Sequence, residues 1–192
     1  MPILKQEADL FPADLFELPL QDYPWWVVHL RSRQEKLASR EAHLRNIPFF
    51  LPLYERVIRG PGRRRTSYLP LFAGYFFFRG GLEIRAEMLK TNLCVRVLDV
   101  PDQRALESDL LQIRKLQLAG LPLLPHPELK IGDVIRILEG PFRGISGIIL
   151  NRRKRSRLVV AVRFIHRAVS VELPEESVEP EPSVWQRRAQ AG

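Results

Sequence analysis

Cysteine is almost absent from this sequence, since Cys94 is the only one among 192 residues. One thiol excludes a disulfide framework within the chain and a zinc site built on several cysteines. Long hydrophobic runs are also lacking, since none approaches the roughly 20 residues that span a bilayer. Residues 1–19 carry acids where a secretory signal has an apolar core, so we expect no export. These absences predict a soluble, cytoplasmic protein with no membrane partner.

Positive charge is abundant and comes mainly from arginine. The chain has 30 basic and 22 acidic residues, a formal net charge of +8, and 24 of the basic residues are arginines. The planar guanidinium group matches phosphate oxygens, so this excess favours a polyanionic partner such as a nucleic acid. The alternative is that the charge serves solubility alone.

Predicted strands and helices alternate in the first half of the chain. Trp25–Leu30 has the apolar pattern of a buried strand, and the spacing of Ser32 and Glu35 is that of a capping box, which predicts a helix over 33–46. The pattern also predicts helices at 82–89 and 102–119, strands at 49–58, 75–78 and 95–100, and a basic turn at 59–65. This order predicts an α+β fold with helices packed on an antiparallel sheet.

The second half has a different pattern. Residues 121–127 are too rich in proline to join a strand ladder and are interpreted as a linker. Four short apolar segments follow, at 134–138, 147–150, 158–164 and 169–173, and their density predicts a small closed β-barrel. We therefore expect an acidic, flexible leader at 1–21, a first domain at 22–120, a barrel at 128–179 and a disordered tail at 180–192.

The residues offer no pattern typical of catalysis or metal binding. The four histidines are scattered, without a carboxylate or thiol at ligand spacing. The glycines around Gly144 lack the Gly-Lys-Ser/Thr sequence and the following helix of a phosphate-binding loop. We expect no enzymatic activity, no cofactor and no metal.

Residues 132–149, GDVIRILEGPFRGISGII, closely resemble a KOW motif, which belongs to a small SH3-like barrel. Trp26–Val28 and the segment PLFAGYFFF at 70–78 resemble the two hallmarks of the NGN domain. Together and in this order, these motifs resemble the NusG family of transcription elongation and antitermination factors. The resemblance implies an NGN-type antiparallel sheet flanked by helices, followed by a KOW barrel, in a protein that we expect to be a monomer.

The same resemblance implies where RNA polymerase binds. In that family the NGN domain binds the clamp helices of RNA polymerase through an apolar depression and lies over the non-template DNA strand, which suppresses pausing. The positions matching the walls of this site are His29, Tyr75, Phe77, Cys94 and Arg96. For at least half of the aromatic residues in these strands a core position is the alternative, because strands alternate faces.

Two basic segments match regions that family members place near DNA. Arg31, Arg33 and Gln34 follow the first strand, where specialised members contact the non-template strand, and Arg and Gln can hydrogen-bond base edges as well as phosphates. Arg63, Arg64 and Arg65 occupy a loop that family members extend across the main channel. Solvated surface is the alternative for both segments.

In the barrel, an exposed apolar strip is predicted from Phe142, Ile145, Phe164 and Ile165. The family uses this surface to bind the termination factor Rho or a small-subunit ribosomal protein. Generalist members carry Phe at the position of Ile165, so the resemblance favours the ribosomal protein over Rho. Arg152, Arg153 and Arg155 lie in a turn and are candidates for RNA phosphate contacts.

The additional acidic leader, and residues at the start of the first helix that suit contacts with DNA, favour a specialised, RfaH-like paralogue over a general factor. Some such relatives refold the barrel segment into helices, whereas the β-branched run at 159–162 favours a barrel here. The alternative function is an RNA-binding module of translation or ribosome assembly, led by the KOW barrel.

Overall fold

Residues 8–60, 63–120, 122–126, 134–136, 145–152, 155–165 and 167–173 are described by a computed structural model. The chain divides into two compact units, residues 1–111 and 112–192, and each is described by itself. The expected disordered tail at 180–192 lies outside the described residues.

An antiparallel sheet of five strands forms the centre of the first unit. The strands are β1 (Leu10–Phe11), β2 (Trp25–Leu30), β3 (Phe49–Phe50), β6 (Tyr75–Arg79) and β7 (Cys94–Leu98), in the order β1-β3-β6-β2-β7. The strands β4 (Leu53–Gly60) and β5 (Arg63–Pro70) pair only with each other and form a separate hairpin. The predicted strands are confirmed, and the break at Pro52 separates β3 from β4.

Three helices accompany these strands: α1 (Glu35–Leu44), α2 (Leu82–Leu89) and α3 (Gln103–Leu118). All three were expected, but α1 begins two residues late and the predicted capping box at Ser32 is wrong. Arg33 adopts a left-handed conformation, with φ of 62°, so the helix starts from Gln34, whose side chain makes no capping hydrogen bond. The Glu35 carboxylate instead accepts a hydrogen bond from the amide of Gly74.

One sheet face carries an apolar cluster with α1 and α2. Alternate residues of β2 and β6, such as Val28 and Phe76, are buried with Ala38 and Ala42 of α1 and Met88 of α2. This side-chain alternation is the period of two that a pleated strand imposes. Residues such as Val27 and Phe77 point to the other face, yet they are also fully buried.

The leader covers part of that second face, so the expectation of a flexible leader is wrong for the described residues 8–21. β1 pairs with β3, and Leu15 in a short 3-10 turn is fully buried. The ring of Phe16 lies 5.7 Å from Trp25 and 5.4 Å from Phe50, measured between centroids. Apolar residues of the leader therefore complete the core on this face, although the acidic composition of the leader indicated an exposed segment.

A buried arginine ties the leader to the sheet. Arg79, at the end of β6, is fully buried, and its guanidinium donates to the backbone oxygens of Leu15, Leu18 and Tyr23 at 2.8 Å each. The same group forms an ion pair with Glu107 of α3. Burial of a charge is tolerated here because nearly every donor has an acceptor.

The second unit contains another antiparallel sheet of five strands. These are β8 (Leu124–His126), β9 (Val134–Arg136), β10 (Ser146–Arg152), β11 (Arg155–Val162) and β12 (Arg167–Leu173), in the order β8-β12-β11-β10-β9. The four predicted strands are confirmed. Closure of the sheet into a KOW barrel stays a prediction.

The interpretation of 121–127 as a linker that joins no ladder is wrong for residues 124–126. Pro125 lies opposite Val169 in the pairing of β8 with β12. β8 is an edge strand of this sheet, and a proline is tolerated at an edge because the missing N–H is not needed on the open side.

Candidate functional site

Three neighbouring strands place His29, Tyr75 and Arg96 side by side. His29 of β2 lies opposite Tyr75 of β6 on one side and opposite Arg96 of β7 on the other, so all three share one sheet face. The rings of His29 and Tyr75 meet edge to face, with centroids 5.4 Å apart and an interplanar angle of 78°. His29 and Arg96 are exposed and Tyr75 is half-buried. We call these three residues the sheet-end row.

A turn at Gly74 fixes the geometry of this row. Gly74 has φ of +82°, a left-handed conformation that glycine adopts without steric cost. Its oxygen accepts a hydrogen bond from the Leu30 amide at 2.8 Å, and the Tyr75 amide donates to the oxygen of Phe72 at 3.0 Å. A Cβ atom on Gly74 would lie only 3.2 Å from Nε2 of His29. The imidazole therefore packs directly against the turn.

The side chain of Phe77 is not exposed at this surface, and its role as a polymerase contact stays a prediction. Its side chain is fully buried, and its ring lies 6.0 Å from that of Phe72. Phe77 shares a strand face with Tyr75, but the leader and neighbouring residues cover that face toward its centre. The two aromatic side chains point to the same sheet face and differ only in how much of each is buried.

Cys94 also lies away from the sheet-end row, because β7 has an irregular register. Leu30 pairs with Cys94 while its neighbour His29 pairs with Arg96, which leaves Val95 as an extra residue. Such a bulge changes the face to which the following side chains point. Cys94 packs against the apolar cluster, with its thiol 3.9 Å from the oxygen of Met88, and burial raises the pKa of the thiol.

The predicted DNA-contacting segment lies at the end of β2, next to the sheet-end row in the chain. Arg31 and Arg33 are exposed and Gln34 is half-buried. The Arg31 amide donates to the oxygen of Leu93 at 3.1 Å, and the Gln34 amide donates to the oxygen of Arg31 at 3.2 Å. These main-chain bonds hold the segment in a defined turn before α1, with two cationic side chains in solvent.

Arg63, Arg64 and Arg65 begin strand β5, so the predicted turn at 59–65 is largely strand. The hairpin register places Gly60 opposite Arg63, Arg59 opposite Arg64 and Ile58 opposite Arg65. The described part of the hairpin is eight residues long on each side, and four arginines occur close to its end.

The exposed apolar strip expected in the second unit is wrong for two of its four members. Ile145 and Ile165 are buried, with 1% and 5% of their surface exposed, while Phe164 is half-buried. Phe142 lies outside the described residues, as does Arg153. Arg152 at the end of β10 lies opposite Arg155 at the start of β11 in the strand register.

The sequence does not reveal the roles of two residues of the first unit, Glu35 beside the sheet-end row and Arg79 at the other end of β6. Glu35 was assigned to a capping box, although only the folded chain brings it to Gly74. Arg79 follows an apolar strand and was not singled out. A charged residue ending a run of buried aromatics is the one signal that could have indicated it.

The part of the chain that the structure describes contains no cluster of three or more His, Cys, Asp or Glu side chains able to hold a metal ion. Among the same residues, no helix is both long and apolar enough to span a membrane.

Comparison with known proteins identifies the first unit. A family model described as "Transcription termination factor nusG" matches residues 23–107. The solved structure titled "Domain interaction in Thermotoga maritima NusG" matches with 19% identity and a TM-score of 0.50, covering 85% of this chain and 100% of that one. At this identity the likeness shows the fold alone.

A crystal structure of the MjSpt4:Spt5 complex also matches, with 18% identity and a TM-score of 0.24 over 82% of this chain and 97% of that one. No curated protein matches the chain. The family model spans the strands that carry the sheet-end row, α1, α2 and the start of α3. Residues 23–107 are therefore an N-terminal domain of the NusG family of transcription factors.

Proposed function

We propose that this protein is a transcription elongation and antitermination factor that binds the clamp of RNA polymerase through its first unit and acts by binding alone. The observation that carries the proposal is the sheet-end row. On its sheet face Trp25, Val27 and Phe77 are fully buried, whereas His29 and Arg96 are exposed. The row thus offers an aromatic pair and a cation at the open end of an otherwise covered face.

Aromatic rings and arginine are the side chains that contribute most strongly to protein interfaces. We propose a polymerase site narrower than the one that the family resemblance implies, because Phe77 is buried and Cys94 packs against the apolar cluster on the other sheet face. The expected contacts are His29, Tyr75 and Arg96.

The test is retention of the protein on a purified elongation complex assembled on a DNA–RNA scaffold. The variant carries His29→Ala and Tyr75→Ala, and the control is Leu82→Ala, an exposed apolar residue of α2 with 73% of its surface exposed. We expect wild type and control to be retained and the double variant to be lost, with all three folded by circular dichroism. No retention of the wild type would overturn the proposal.

A second part of the proposal concerns the non-template DNA strand. Arg31, Arg33 and Gln34 are proposed to contact this strand, with support from the exposed arginines of the turn before α1. Arg63, Arg64 and Arg65 are proposed to reach DNA from the hairpin. Both segments present arginine, which binds phosphates in a bidentate way.

The salt dependence of binding to single-stranded DNA tests the hairpin. Replacing Arg63 and Arg64 by Gln should lower the slope of log affinity against log salt by about 0.7 for each lost phosphate contact. The control replaces two exposed cations of α3, Arg104 and Lys115, by Gln. Equal changes in both variants would indicate net charge alone and would contradict a hairpin contact.

The second unit is proposed to recruit a small-subunit ribosomal protein, in preference to Rho. The support is the resemblance, with isoleucine at 165. Since Ile165 is buried, Phe164 is the described member of the strip that remains partly accessible. Phe164→Ala should weaken binding of the full chain to purified small ribosomal subunits, while Leu124→Ala, at an exposed site, should not. Unchanged binding by Phe164→Ala would contradict this surface.

A further inference from the structure

We propose that Glu35 is a positioning residue for the sheet-end row: its carboxylate holds the Gly74 turn, and the turn holds His29 and Tyr75. The inference rests on the proposed function, because the row is the surface proposed to bind polymerase. Glu35 itself makes no contact with the partner in this view. It acts through one hydrogen bond to the backbone.

The burial of Glu35 is the first observation. A glutamate is rarely buried without a specific partner, and Glu35, the first residue of α1, has only 6% of its surface exposed. Its Oε1 accepts a hydrogen bond from the Gly74 amide at 2.7 Å. Hydrogen bonds to an ionised acceptor are shorter and stronger than neutral ones, and this distance is in their range.

The surroundings of Gly74 are the second observation. Its oxygen accepts from the Leu30 amide, its nitrogen donates to Glu35, and the next residue is Tyr75. A Cβ atom on Gly74 would lie only 3.2 Å from Nε2 of His29, so the imidazole would have to shift by a few tenths of an ångström to make room for it. A displacement of Gly74 would therefore move the histidine ring and the tyrosine ring together.

Glu35 also adjoins the segment proposed to contact DNA. It follows directly after Arg31, Arg33 and Gln34, the segment proposed to contact DNA. The same residue begins α1 and fixes the turn beneath the aromatic pair. A single hydrogen bond thus links the proposed DNA-contacting segment with the proposed polymerase surface.

The first test measures the affinity of the full chain for the elongation complex. Glu35→Ala removes the acceptor, Glu35→Asp shortens the side chain so that it no longer reaches Gly74, and Glu35→Gln keeps an oxygen at the same place. Loss of a hydrogen bond to a charged group predicts about tenfold weaker binding for Ala and Asp, and a change of about twofold or less for Gln. Weakening by Gln equal to that by Ala would overturn the proposal.

The same substitution in a His29→Ala background, which keeps Tyr75 and Arg96, separates positioning from a general loss of stability. If Glu35 acts through the row, Glu35→Ala weakens binding less there than in the wild type, because coupled residues are not additive. An additive effect of the two changes would overturn the inference while leaving the proposed function intact. Failure of the wild type to bind would overturn both and is recognised in the same titration.

A second readout does not depend on polymerase. The amide proton resonance of Gly74 in the free protein should move upfield in Glu35→Ala and Glu35→Asp, since a charge-assisted hydrogen bond is lost. Glu35→Gln should shift it much less. An unchanged Gly74 resonance in Glu35→Ala would show that the bond does not hold the turn, and the proposal would fail whatever the polymerase affinities are.

Discussion

The carboxylate of Glu107 lies 3.1 Å from Nη1 of Arg79, and this ion pair connects α3 with the end of β6. Arg79 is fully buried and Glu107 is largely so, with 18% of its side chain exposed. Burial lowers the pKa of Arg79, and the negative charge of Glu107 opposes this shift. Because the same guanidinium also binds three backbone oxygens of the leader, three parts of the first unit depend on one side chain.

Arg79→Met should destabilise the first unit strongly. The substitution keeps the apolar stem of the side chain, but it leaves Glu107 without its cation and removes the Arg79 donors from three backbone oxygens of the leader, of which that of Leu15 is in a buried hydrogen bond. Removal of one partner of a buried ion pair costs about 3–5 kcal/mol in the free energy of unfolding. Urea unfolding of Arg79→Met and of the control Glu107→Gln measures the effect. The control keeps an acceptor for Arg79, so it should lower the free energy of unfolding less. A loss below about 1 kcal/mol for Arg79→Met, the level of an exposed ion pair, would contradict the structural role.

Gly74→Ala should impair polymerase binding more than its effect on stability explains. Alanine in the left-handed region costs about 1 kcal/mol, and here its methyl group would also press on the His29 ring. Gly120→Ala is a matched control, since Gly120 has φ of +71° with open space around it. Both variants should lose similar stability in urea, but only Gly74→Ala should bind the elongation complex less tightly. Equal binding by the two would argue against a link between Gly74 and the site.

Cys94 should react slowly with thiol reagents. Burial raises the pKa of the thiol, so fewer molecules carry the reactive thiolate at pH 8 than in the unfolded chain. Reaction with a disulfide reagent, followed by absorbance, should be much faster in guanidinium chloride than in buffer. Because the folded thiol has the higher pKa, stability should also fall as the pH rises past the usual thiol pKa of about 8.5. In Cys94→Ala this part of the pH dependence should disappear, and its persistence would exclude the thiol as its source.

Ile165→Ala should act on stability rather than on partner binding alone. The side chain is buried, and removal of such atoms from a core costs about 2–5 kcal/mol. Leu124→Ala, at a position with 42% of the side chain exposed, should cost far less. Hydrogen exchange of the β12 amides in the full chain reports this difference. Unchanged exchange in Ile165→Ala would support an accessible Ile165 after all.

Periodicity predicted the regular elements well because apolar patterns report burial directly. The strands around Trp25 and Tyr75 and the long helix that ends before Gly120 all appear close to their predicted bounds. Local pattern failed where distant residues decide the outcome. The composition of the leader indicates an acidic, mobile segment, but Leu15 is buried and Arg79, far along the chain, donates hydrogen bonds to carbonyl oxygens of the leader.

The candidate site was predicted in part for the same reason. His29, Tyr75 and Arg96 follow from strand positions and the family resemblance, and the structure brings them into one row. The sequence did not indicate that Phe77 is buried or that Cys94 faces the apolar cluster, because coverage by the leader and an extra residue in β7 cannot be read from their own segments. Pro125 likewise indicated a linker, yet it lies in strand β8. Whether a proline breaks a strand depends on whether that strand lies at the edge of the sheet, which its own segment does not show.

The extra residue at Val95 also bears on whether the edge of this sheet can pair with the sheet of another molecule. In the described sheet β7 is an edge, and a regular edge strand offers evenly spaced donors and acceptors to an incoming strand. The irregular register at His29 and Leu30 interrupts that spacing, although the exposed Val95 would otherwise attract an apolar partner. The distortion that turns Cys94 inward therefore leaves a poor template for growth of the sheet between molecules.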